Sequence, residues 1–255
     1  MNAVPDPARG RGIGTLGEKT LHAVLKRYFE PDTARHEVKL GSYVADIVNE
    51  TGIIEVQTRQ FDKLRGKLEY FLAQQDVTVV YPIAATKWLL WVDPLTGEVT
   101  ARRRSPKRGT PCEVFYELYK IKPLLTHPRL RLRLMLLNLE EYRYLNGWSQ
   151  NKKRGSSRCD RIPLEPVGEV VIRGPADYAL LLPEQLPAAF TTKDFAKAAR
   201  LSPKASQAAV NVLCSVGSIV RVGKQGRSYL YERTQANVAE KSGAEMQACG
   251  VGKTI

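Results

Sequence analysis

Between residues 20 and 92 the apolar period of the chain changes twice, and that change limits the folds open to it. Leu21, Val24, Leu25 and Tyr28 fall at helical spacing and put one apolar stripe on a helix that Pro31 ends. Three short β-branched runs follow, at 36–40, 43–48 and 53–58, separated by Gly41-Ser42 and by residues 49–52. That punctuation predicts tight antiparallel turns and a three-stranded meander. Phe61, Leu64, Leu68, Phe71 and Leu72 restore the helical period, after which 77–83 and 88–92 are apolar enough to be two buried strands. The expected product is an α/β layer structure in which a helix crosses the sheet between its third and fourth strands.

The rest of the chain reads differently. Residues 1–14 form a polar, Pro/Gly-rich leader, and 234–255, without apolar periodicity, form a tail. From 100 to 161 the chain is heavily basic, with Arg102, Arg103, Arg104, Lys107 and Arg108 in one cluster and Lys152, Lys153 and Arg154 in another. Between these clusters, Leu132, Leu136 and Leu139 predict a helix over 130–144, an elaboration packed on a first domain of residues 15–165. Farther on, Thr191-Thr192 can cap a helix over 193–199, and Ser202-Pro203 can start a second one that Gly217 stops. A hairpin over 218–231 with a tip at 223–226 completes the order helix, turn, helix, two-stranded wing. Residues 183–233 resemble winged-helix domains, which implies DNA contacts through Lys204, Lys224 and Arg227. A small helical-hairpin domain used for protein contacts is the other reading of the same spacing.

Composition narrows the partner. Of 255 residues 43% are hydrophobic, which excludes disorder throughout, and 39 Lys+Arg against 26 Asp+Glu leave a formal +13. That excess favours a polyanion such as nucleic acid. No stretch approaches the ~20 apolar residues of a membrane span and the N-terminus has no apolar signal core, so a cytoplasmic protein is expected. Cys112, Cys159, Cys214 and Cys249 are scattered, with neither Cys-x-x-Cys pairs nor His at ligand spacing, and read as free thiols. Gly12 to Gly17 matches G-x-G-x-x-G, but no strand precedes it. Gly250 to Thr254 lacks the earlier glycine of a phosphate loop, so neither is read as a nucleotide site.

The chemistry-bearing constellation is Glu18 in the first helix, Asp46 in the second strand and Glu55-Val56-Gln57 in the third. Residues two apart on a strand share a face, so Glu55 and Gln57 point one way while Ile54 and Val56 point into the core. Pairing of the second and third strands through the turn at 49–52 brings Asp46 close to Glu55. Two carboxylates on an apolar sheet repel each other and resist desolvation unless a cation or a proton compensates. A hard divalent cation suits them, since Mg²⁺ takes oxygen ligands and keeps several waters.

Residues 18–92 resemble the PD-(D/E)XK nuclease superfamily, whose core is a restriction-endonuclease-like mixed sheet flanked by helices. The resemblance implies a Mg²⁺-dependent (or Mn²⁺-dependent) endonuclease acting on DNA. Glu18 matches the helix acid, Asp46 and Glu55 the metal-binding carboxylates, and Val56 offers its backbone carbonyl. Gln57 stands at the motif's lysine position, where it can orient a water but supplies no charge. Arg59, Arg102, Arg103, Arg104, Lys152, Lys153 and Arg154 would contact phosphates, and cutting both strands would call for a homodimer. Other roles are open to the same residues: Glu18 fits a capping box with Thr15, Asp46 an edge strand, and Gln57 and the basic clusters a solvated surface. A nuclease-like DNA-binding or regulatory protein without catalysis is the alternative, favoured by Gln57.

Overall fold

The computed structural model describes residues 20–145 and 157–234. Its main body is a seven-stranded mixed sheet flanked by helices. In chain order the elements are α1 (Thr20–Phe29), β1 (His36–Leu40), β2 (Tyr43–Asn49), β3 (Gly52–Val56), α2 (Phe61–Leu72), β4 (Val77–Val92), β5 (Arg103–Arg104), α3 (Phe115–Leu118), β6 (Leu130–Tyr144) and β7 (Ser157–Ile172). The strands lie in the order β1-β2-β3-β4-β6-β7, with β5 beside β4. β1, β2 and β3 are antiparallel neighbours, as a meander requires. Gly52 sits at φ +109 in the second turn, and a Cβ there would lie 2.4 Å from the Asp76 carbonyl oxygen, so only glycine closes it. β3 then pairs in parallel with β4, the intervening crossover being α2.

Both faces of the sheet are covered, and the two coverings differ. On one, Leu21 and Leu25 of α1 pack with Ile47, Ile54, Val56, Val80, Met135 and Leu137. On the other, Phe61, Leu64, Leu68 and Phe71 of α2 pack with Ala45, Ile53, Val77, Val79, Leu132 and Leu134. Each fully buried Leu, Ile, Val, Phe or Met side chain among them contributes about 1.5–3 kcal/mol. The expectation that only Ile54 and Val56 face a core is therefore too narrow: β3 is buried along its whole length.

Two expectations about strands and helices are corrected. Residues 130–144 form no helix; they are β6, a 15-residue strand between β4 and β7. β6 runs parallel to β4 from Leu130↔Val77 to Tyr144↔Val92 and antiparallel to β7, so its leucines fill both faces and its backbone is paired on both sides. The supposed elaboration is thus part of the sheet. Likewise 77–83 and 88–92 are one strand, β4, with a register shift between Ala84 and Thr86. Pro82 is tolerated in it because β3 ends opposite Val80, and the missing N–H falls on the side that β3 has vacated.

The C-terminal unit contains β8 (Ala189–Thr191), α4 (Thr192–Ala199), α5 (Pro203–Ser215), β9 (Ile219–Gln225) and β10 (Ser228–Arg233), with sheet order β8-β10-β9. Thr191 and Asp194 close a capping box on α4, and Ser202 caps α5 with Pro203 at its first position. This unit does not stand apart. Phe195 meets Phe115 edge to face at 6.1 Å between centroids, and the buried side chains of α4 and α5 belong to the same cluster as those under α2. Among the described residues no helix is long and apolar enough to cross a membrane.

Candidate active site

The site is built where β2 and β3 part. Their pairing runs from Asn49↔Gly52 to Ile47↔Ile54, and beyond it two carboxylates take the place of backbone partners. The Asp46 N–H donates to Glu55 Oε1 at 3.2 Å, and the Val56 N–H donates to Asp46 Oδ2 at 2.8 Å. Each acid thus satisfies an amide that the splayed ladder would otherwise leave unpaired. Asp46 and Glu55 are brought together, as the turn at 49–52 requires.

A helix from each face then reaches this junction. From α1, His22 Nε2 lies 2.7 Å from the Val56 carbonyl oxygen and 3.2 Å from Asp46 Oδ2. A carbonyl oxygen can only accept, so Nε2 carries the proton and sits between two oxygens. From α2, Lys67 Nζ donates to Glu55 Oε2 at 2.6 Å. α2 is itself anchored by a carboxylate at its start: Phe61 N–H donates to Glu117 Oε2 at 2.9 Å, and Lys120 bridges Glu117 and Asp62.

The two carboxyl groups are pushed in opposite directions. Glu55, 2% exposed, is raised to about 7, first by burial and then by the charge of Asp46, against the opposing pull of Lys67. For Asp46, burial is the largest influence and works upward, but the hydrogen bond and charge of His22 and the Val56 N–H outweigh it and hold the carboxyl below its ordinary value. One acid ready to ionise fully beside one that ionises near neutrality is an arrangement that responds to added positive charge.

Of the remaining sequence-predicted residues, Gln57 lies beside the pair without touching it. Its amide donates to the Arg59 carbonyl at 2.6 Å and to the Gln60 carbonyl at 3.5 Å, holding the turn into α2, in which Gln60 has φ 62. Charge next to Glu55 comes from Lys67 instead, a residue outside the constellation expected from the sequence. Glu18, Lys152, Lys153 and Arg154 lie outside the described residues. The Arg59 side chain is exposed near the site, while Arg102 is stacked on Trp88 at 4.2 Å and paired with Glu140 at 2.9 Å. Arg103 and Arg104 form the exposed strand β5 against Leu89 and Trp88. Lys204 lies over Tyr116 at 5.4 Å, Lys224 over Tyr229 at 5.4 Å, and Arg227 is exposed at the tip of the C-terminal hairpin.

A family model described as a domain of unknown function, DUF8091, matches residues 19–173. The chain belongs to this family. The DUF8091 match takes in α1 through β7, and so every residue of the Asp46–Glu55 junction, and ends before the C-terminal unit begins. A protein of Treponema pallidum (strain Nichols), described as uncharacterized, is 29% identical to this DUF8091 chain over 222 residues, 87% of each. No solved structure matches it.

Proposed function

We propose that the protein is a Mg²⁺-dependent endonuclease that hydrolyses phosphodiester bonds in DNA, with a restriction-endonuclease-like core and a C-terminal winged helix that positions it on its substrate. The observation that carries this reading is the Asp46–Glu55 pair at the splayed end of β2 and β3, with the Val56 carbonyl alongside and Lys67 on Glu55.

The donor set fits the ion. Two carboxylates and a peptide carbonyl are hard oxygen ligands, and Asp46 Oδ2 and the Val56 oxygen already converge on one electropositive point, the His22 Nε2–H. Among the described residues no three His, Cys, Asp or Glu side chains are grouped as a metal site, so the protein would supply Asp46, Glu55 and the Val56 carbonyl, and water the remainder. The ion, when bound, lowers the pKa of a bound water and screens the charge that develops on the phosphate. Lys67 holds Glu55 Oε2 and carries the positive charge absent from Gln57, where it can stabilise the developing oxyanion. His22 keeps a proton between Asp46 and Val56 and so fixes the relation of α1 to β3. In the C-terminal unit, α5 would lie along the DNA, with Lys204 at its start and Lys224 and Arg227 on the wing against the backbone. A DNA-acting enzyme of this kind would work in the cytoplasm.

A second reading, a DNA-binding or regulatory protein without catalysis, is favoured by one observation: Gln57 stands where the motif has lysine, and its amide is committed to the turn at Arg59 and Gln60. The test is incubation of the purified protein with supercoiled plasmid and with branched DNA in Mg²⁺ or Mn²⁺, with EDTA as the control. Metal-dependent nicking is the expected result. DNA that is bound but left intact with either metal sinks the catalytic reading in favour of the second.

A further inference from the structure

Beyond the end of β3, its side of β4 is taken by β5 and the loop that follows it. β4 continues to Val92, and a loop covers part of the side that β3 has left: Gly109 N–H donates to the Ala84 carbonyl at 2.9 Å and Ser105 N–H to the Lys87 carbonyl at 2.7 Å. Gly109 is obligatory for this approach, since a Cβ would lie 2.5 Å from the Ala84 oxygen. Between this loop, β4 and β7 lies a cleft of about 150 Å³, lined on its polar side by Thr58, Lys87, Lys107, Arg158 and Arg161.

The acids of the cleft are already engaged. Glu113 pairs with Lys107 at 2.8 Å. Glu141, 1% exposed, accepts from Lys87 at 3.2 Å and from Arg143 Nε at 2.7 Å, and Arg158 stands 3.5 Å away. Arg161 is left over: among the described residues its guanidinium has neither a hydrogen bond nor an ion pair. Burial, then the charge of Arg158, hold it below the ordinary guanidinium value, against the opposing pull of Glu141. A partly desolvated fork of five donors, whose neighbouring acids are already engaged by other cations, suits an anion that can accept several hydrogen bonds at once.

We propose that this cleft binds a phosphate group of a nucleic-acid strand, with Arg161 as the principal donor and Lys87, Lys107 and Arg158 as its electropositive wall. Size agrees with a phosphate and not a whole nucleotide, because pockets for larger ligands span roughly 300–1,000 Å³. Position agrees as well: Thr58 lies three residues beyond Glu55, at most about 11 Å along the chain. That distance is short enough for a strand with one phosphate in the cleft to reach the Asp46–Glu55 junction. The phosphate chemistry stands on the cleft alone, whereas its ownership by a nucleic acid rests on the nuclease reading.

The experiment is equilibrium binding in EDTA, so that no cation at Asp46 and Glu55 takes part. The probes are inorganic phosphate, a short oligonucleotide with a 5′-phosphate and the same oligonucleotide with a 5′-hydroxyl. Arg161→Gln should bind about 10- to 100-fold more weakly than the wild type. Lys107→Gln, on a largely exposed side chain that the fold does not need, should bind several-fold more weakly. Weakening on both oligonucleotides identifies an internal phosphodiester, weakening on the phosphorylated one alone a strand end, and weakening on inorganic phosphate alone a free-phosphate site. The first two outcomes support the proposal, and the third overturns its nucleic-acid part. A wild type that binds none of the probes, or variants that match it on all three, overturn it entirely. Arg161-dependent binding would survive in a protein that never cuts DNA, which separates this result from the nuclease reading.

Discussion

Lys67 Nζ stands 2.6 Å from Glu55 Oε2, so a cation from α2 faces the buried acid of β3. At pH 8, where Glu55 is ionised, removing that cation leaves a buried charge without its partner. Lys67→Met should lose roughly 3 kcal/mol in urea denaturation, and adding Glu55→Gln should restore most of it. Equal destabilisation in the single and double variants would mean that the pair is not energetically coupled.

The same residue should separate catalysis from turn-holding. With saturating DNA and metal, Lys67→Ala is expected to slow single-turnover cleavage by about 10²–10³-fold, the scale of losing an oxyanion-stabilising donor. Gln57→Ala, whose amide holds only carbonyls of its own turn, should slow it far less. The reverse ranking would return the catalytic role to Gln57.

Stability should depend on pH through Glu55. Its folded carboxyl is raised from 4.5 to about 7, so the folded state holds the proton more tightly than the unfolded chain. The linked stabilisation is complete below pH 4.5 and is lost as pH rises through about 7, a change of roughly 3 kcal/mol. Denaturation midpoints measured from pH 4.5 to 8 should fall in the wild type and flatten over that window in Glu55→Gln. Parallel curves for the two proteins would remove Glu55 as the cause.

The C-terminal unit and the sheet should unfold together. Phe195 packs on Phe115 inside one apolar cluster, so Phe195→Ala should cost about 3–5 kcal/mol and lower a single cooperative transition. Two separated transitions in calorimetry would show that the units are energetically independent.

Much of this fold was legible because local signals and tertiary contacts agreed. The glycine and asparagine turns set the β1–β3 meander, and the Thr191 and Ser202 caps set α4 and α5. β6 imitates a helix for a physical reason. Leu130, Leu132 and Leu134 alternate as a strand should, but the buried set then shifts phase to Met135, Leu137 and Leu139. Burial on both faces with a register shift in β7 opposite Leu136 and Leu137 produced spacings of three and four that imitate a helix. Asp46 and Glu55 were visible because a short turn fixes their proximity. Lys67 was not, since its partner lies twelve residues away across a crossover. One signal could have found it: Lys67 is three residues after Leu64 and four before Phe71, on the buried stripe of α2, where a lysine needs an acid beneath it.

The claim on which the functional account stands is that Asp46, Glu55 and the Val56 carbonyl form one cation site. Metal binding needs no choice of substrate, so Mn²⁺ titration followed by electron paramagnetic resonance tests it most directly, with wild type, Asp46→Asn and Glu55→Gln compared at pH 8. Wild type should take up Mn²⁺ with Mg²⁺ as competitor, and both variants should lose this binding while remaining folded. A wild type that leaves Mn²⁺ free, or variants that bind it as tightly as the wild type, would contradict it.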